Sequence, residues 1–67
     1  MKSRGALEIL QLEVHISLLD SQARNLAAMA EYVDDSSRQA EYRKAADEVR
    51  KAIVEYQDRI RLLRDDQ

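Results

Sequence analysis

Apolar residues recur along two segments of the chain at alternating steps of three and four residues. Such spacing places them on one side of an α-helix and is typical of helices that pack together at a shallow angle. The two series, which we call the seam, are Ile9, Leu12, Ile16, Leu19, Ala23, Leu26, Ala30 and Val33, and Tyr42, Ala46, Val49, Ile53, Tyr56, Ile60 and Leu63. They predict one helix over about residues 6–33 and a second over about residues 38–64.

A polar segment at about residues 34–37 separates the two predicted helices. It consists of two aspartates followed by two serines, residue types that favour turns and helix N-termini. Ser36 and Gln39 have the spacing of a capping box for the second helix. Because the chain has no proline and its only glycine is Gly5, one continuous helix is the alternative to a turn here.

A symmetry between the two series favours the turn. Pairing residues whose numbers sum to 72, such as Ile9 with Leu63, keeps both series in phase over their full length. Small residues then lie opposite larger ones near the turn, as interdigitated packing requires. We therefore predict an all-α fold in which residues 1–67 form a single domain, an antiparallel two-helix hairpin.

The first predicted helix carries more apolar residues than a hairpin can cover. Leu7, Leu10, Val14 and Leu18, which we call the outer stripe, do not belong to the seam. The register places Leu62 opposite Leu10, and we expect Leu62 to extend the same patch. Fully burying a leucine or valine side chain contributes about 1.5–3 kcal/mol, so leaving four exposed is costly. We predict that they form an association surface, covered by a second hairpin in a dimeric four-helix bundle or by a helix of another protein.

A second, smaller contact site is predicted near the turn. Met29 and Tyr32 lie off the seam and belong to residue types that are common at protein interfaces.

The outer stripe also allows a different secondary structure. Leu10, Leu12, Val14, Ile16 and Leu18 alternate with polar residues, as a β-strand does. Read this way, the segment LEVHISLLDSQARNLAAMAEYVDDSS resembles the ribbon-helix-helix DNA-binding family. The resemblance implies a strand paired across a dimer, with polar side chains directed into the major groove. Those side chains are Gln11, Glu13 and His15.

Length and composition point to association as well. A chain of 67 residues buries only about 60% of its unfolded surface, so its own core is marginally stable. The absence of cysteine excludes disulfides and thiolate metal sites, and the single histidine cannot form an imidazole cluster. The net charge of −2 gives no overall attraction to nucleic acid or membranes. No apolar run approaches the length of a membrane span, about 20 residues, and we expect a cytoplasmic protein.

No arrangement of residues indicates catalysis. His15 has no carboxylate three or four residues away to orient it as a base, and the sequence contains no glycine-rich phosphate loop. We predict no enzyme activity, no small-molecule substrate, and no catalytic, cofactor-binding or metal site.

The two chain ends carry several basic residues, which give an alternative function. In a hairpin the ends meet, so Lys2 and Arg4 approach Arg59, Arg61 and Arg64 and could contact nucleic acid. In outline such a chain resembles small plasmid RNA-binding proteins that dimerise as four-helix bundles. It is also similar in length and outline to small hairpin chaperones of bacterial secretion systems. Our preferred prediction is a self-associating protein that binds another protein, as an adaptor, chaperone or inhibitor.

Overall fold

The protein folds as two long helices joined by a short turn. A computed structural model describes residues 4–65, with the backbone alone for Arg4. Helix α1 covers Arg4–Tyr32, helix α2 covers Ser36–Asp65, and residues 33–35 connect them. The helices pack along each other and form an antiparallel hairpin measuring 54 × 15 × 10 Å. The predicted all-α hairpin is confirmed.

Residues 10–18 are helical throughout, so the strand interpretation of this segment is wrong. A helix satisfies its own backbone hydrogen bonds, whereas a strand needs a neighbouring strand to satisfy them. The chain contains no second alternating segment that could supply such a neighbour within one molecule. The alternation from Leu10 to Leu18 arises because residues of the outer stripe (Leu10, Val14, Leu18) alternate in sequence with residues of the seam (Leu12, Ile16) on opposite sides of one helix.

The turn is closed by Asp35 and Gln39. The Ser37 amide donates a hydrogen bond to Oδ1 of Asp35 at 3.0 Å, and the Gln39 amide donates to the Asp35 carbonyl oxygen at 3.0 Å. Nε2 of Gln39 donates to the carbonyl oxygen of Val33 at 2.7 Å and ties α2 to the end of α1. The predicted cap at Ser36 is therefore wrong by one residue. A carboxylate at the positive end of the helix dipole explains why Asp35 takes this position.

The core is one layer of side chains between the helices. Every residue of the seam is buried or half-buried. Toward the turn the most buried residues are Ala23, Ala30 and Ala46, and toward the open end they are Ile9 and Ile60. Buried alanines on one helix leave room for larger seam residues of the facing helix, as interdigitated packing requires.

Contacts between the helices agree with the predicted register. Glu8 pairs with Arg59 at 3.1 Å and Glu13 pairs with Arg64 at 3.3 Å. Their numbers sum to 67 and 77, five below and five above the value of 72 expected for seam partners. These exposed ion pairs contribute at most about 1 kcal/mol each, so they mark the register and the seam provides the stability.

Candidate protein-binding surface

The outer stripe is exposed along its whole length. Leu7, Leu10, Val14 and Leu18 keep between 56% and 67% of their surface accessible. Each lies two residues from a member of the seam, which on an α-helix is a rotation of about 200°. The stripe therefore lies on the side of α1 that faces away from α2. Its members are three or four residues apart, so they are neighbours on the helix surface and form one continuous apolar strip.

No charged residue interrupts this side of α1 between Leu7 and Ser21. The remaining residues there are uncharged, namely Gln11, Ser17 and Ser21. The charged residues of the same segment lie beside the seam, and two of them reach across to α2, Glu8 to Arg59 and Glu13 to Arg64. Removing an ionised group from water is costly. Binding another protein here would bury apolar surface without that cost.

The other predicted contact residues are exposed but do not form one strip with these four. Leu62 on α2 is 58% accessible, and its described neighbours three or four residues away, Asp58, Arg59 and Asp65, are charged. It lies two residues beyond buried Ile60 and so faces away from α1. Met29 and Tyr32 are also exposed, three residues apart at the turn end of α1.

The pattern of the sequence did not indicate Val54. This α2 residue is 55% accessible and, by the register, lies at the level of Leu18. The only sequence signal for Val54 was the register, in which the residue numbers of Val54 and Leu18 sum to 72. Charged residues Arg50, Lys51 and Asp58 are its neighbours along the helix. It is an isolated apolar residue on a charged surface, as is common in monomeric proteins.

The described part of the predicted basic cluster is neutralised locally. Nε and Nη2 of Arg59 both donate to Oε2 of Glu8, at 3.2 and 3.1 Å. Arg61 pairs with Asp58 at 2.9 Å, and Arg64 pairs with Glu13 at 3.3 Å. Lys2 and the side chain of Arg4 lie outside the described residues.

A groove that the sequence did not reveal runs along one edge of the interface between the helices. It is open, holds about 800 Å³, and has Ile16, Ile53 and Ile60 as its apolar floor. Its rim carries both signs of charge, from Glu13, Asp20, Arg61, Arg64 and Asp65, together with the uncharged Ser17 and Gln57. The groove is shared between residues far apart in sequence, so it has no local sequence signature. Its mixed rim gives no field that would select a ligand of one charge.

Potential metal ligands are not clustered in the described part of the chain. Between residues 4 and 65 no three side chains of His, Cys, Asp or Glu are grouped to hold a metal ion. The ring of His15 contacts Tyr56 edge-on, with centroids 4.9 Å apart. In the same range no helix is both long and apolar enough to cross a bilayer.

Neither a protein-family model, nor a curated protein, nor a solved structure matches this chain.

Proposed function

We propose that this chain is a non-enzymatic protein-binding module that associates with itself through the outer stripe. The expected assembly is a dimer of hairpins, which then binds another protein as an adaptor, chaperone or inhibitor. A compact four-helix bundle is the arrangement expected from the sequence alone. The observation that supports this most strongly is the exposed, continuous and uncharged apolar strip on α1. The cytoplasm is its expected compartment.

The energetics of the strip support association. Apolar surface removed from water contributes about 25 cal/mol per Å², and each residue of the strip retains more than half of its surface. A hairpin of this length has a thin core, so contacts with a partner are a substantial part of its total stability. Contiguous exposed apolar strips of this kind are typical of interaction sites.

Light scattering on purified protein tests the proposal. We expect the wild-type chain to exceed the monomer mass at micromolar concentration, and the variant Leu10→Ser/Val14→Ser to be a helical monomer. The matched control is Lys51→Ser/Val54→Ser, which makes the same number of changes on the outer side of α2 and should associate like the wild type. A wild type that is monomeric, together with an equally well folded and soluble Leu10→Ser/Val14→Ser variant, contradicts self-association through this strip.

Nucleic-acid binding has less support as a function. Arg59, Arg61 and Arg64 each have a carboxylate partner in the hairpin, so a phosphate would have to compete for them. Retention of RNA or DNA that decreases with salt and is lost in Arg59→Glu/Arg61→Glu would favour this alternative.

A further inference from the structure

We propose that the protein covering the outer stripe is a second copy of this chain, with the two α1 helices packed antiparallel about a two-fold axis. The axis passes between Leu10 and Val14. This inference rests on the proposed function and adds to it the geometry of the contact: which residues of the two copies meet, and in which helix direction.

The spacing of the outer stripe is nearly the same in both directions. Its steps are three, four and four residues, so reversing the helix sets Leu7 against the partner's Leu18 and Leu10 against the partner's Val14. A two-fold interface requires such self-complementarity, because one patch forms both of its halves. The four apolar residues therefore cover one another without leaving any of them unmatched.

The charge pattern favours a second copy over a charged foreign helix. A two-fold axis places a surface against itself, so any net charge near the axis repels its own copy. The outer side of α1 has no charge from Leu7 to Ser21, and the nearest carboxylates, on Glu8 and Glu13, are paired with arginines of α2. A charged partner finds no opposite charge here, whereas an identical uncharged strip meets no repulsion.

The geometry also sets the shape of the dimer. With the stripes in register, the two α1 helices overlap over about residues 4–21, or about 26 Å at 1.5 Å per residue. The turns then point in opposite directions, and the dimer is about 70 Å long against 54 Å for one hairpin. Both α2 helices face solvent with their charged outer sides, so the assembly closes at two chains.

Disulfide trapping distinguishes this arrangement from others, and the chain has no cysteine that would interfere. A disulfide requires Cα atoms within about 7 Å. In the antiparallel dimer the two copies of residue 7 are about 16 Å apart along the axis, while residue 7 adjoins residue 18 of the other chain. We expect an equimolar mixture of Leu7→Cys and Leu18→Cys to form a mixed disulfide under mild oxidation. Each variant alone should cross-link at least tenfold less.

Folding is checked by circular dichroism of each cysteine variant, which should retain the helix content of the wild type. Cross-linking of Leu7→Cys with itself as efficiently as in the mixture means parallel helices and overturns the inference. A dimer by light scattering that gives no mixed disulfide also overturns it, while leaving self-association intact.

Small-angle scattering provides an independent length for the dimer. A maximum dimension near 70 Å supports the inference, since only the terminal halves of the hairpins overlap. A dimer no longer than the hairpin has its ends aligned in a compact four-helix bundle. That result overturns the antiparallel contact through α1 but not the proposed function. A monomer at every concentration contradicts both.

Discussion

The two helices share one seam but differ sharply on the sides that face away from it. Over its 29 residues α1 has six charged residues, while α2 has fourteen in 30. The outer side of α2 carries Lys44, Asp47, Lys51 and Asp58, and its apolar residues are isolated among them. The outer side of α1 carries a continuous apolar strip. The contact between the helices uses neither outer side, so formation of the hairpin does not explain this difference.

The seam and the outer side of α1 should respond oppositely to the same substitution, and this is the largest effect we expect. Ala23→Asp places a carboxylate at a buried position without a partner, which costs several kcal/mol and exceeds what so small a core can lose. We expect loss of most helical signal in far-ultraviolet circular dichroism. Ala28→Asp, an identical change at an exposed position of the same helix, should keep that signal. Equal loss of helix in both variants is incompatible with the seam described here.

Matched substitutions on the two outer sides test the comparison directly. Val14→Glu introduces a charge into the outer stripe, and we expect the dissociation constant of the dimer to rise at least tenfold, about 1.4 kcal/mol or more. Val54→Glu makes the same change on α2, where the surroundings are already charged, and should leave the constant within about twofold. Sedimentation equilibrium measures both. A comparable loss in the two variants means that the outer sides do not differ in function.

The turn can be weakened without changing either outer side. Asp35→Ala removes the acceptor for the Ser37 amide and should cost about 1 kcal/mol. For a domain of this size that lowers the melting temperature by about 4–8 °C. The neighbouring substitution Asp34→Ala should have a smaller effect if Asp35 is the cap. Melting curves must be compared at one protein concentration, because association also raises stability.

The smallest effect we expect concerns the ion pairs that join the helices. A double-mutant cycle on Glu8→Ala and Arg59→Ala should give a coupling free energy below about 1 kcal/mol, decreasing with added salt. Denaturant unfolding of the four proteins measures it. A coupling of several kcal/mol would show that charged contacts, and not the seam, set the stability of the hairpin.

The spacing of apolar residues was sufficient to predict two helices and the side on which they meet. A three-four repeat has one explanation in a chain this rich in helix-forming residues. It could not exclude a strand at Leu10–Leu18, since two apolar strips on one helix overlap into an alternating pattern. The segment is a helix because a helix satisfies its own backbone hydrogen bonds, whereas a strand depends on a neighbouring strand.

The helix cap and the groove could not be predicted from the sequence. Three consecutive residues, Asp35, Ser36 and Ser37, can all cap a helix, and sequence does not reveal which one has the required backbone geometry. The groove over Ile16, Ile53 and Ile60 combines positions from both helices, so no single segment of the sequence predicts it. The predicted seam already leaves the outer stripe uncovered, but the sequence did not show that Leu62 faces away from α1 and does not extend the stripe.

A core only one side chain deep has a consequence for the life of the protein in a cell. Each seam residue is covered by one neighbouring helix, so we expect an isolated hairpin to open, and to be cut by proteases, more readily than a larger bundle. The proposed pairing with a second copy would suppress this opening increasingly as the protein concentration rises. We therefore expect the half-life of the chain in a cell to increase with its concentration.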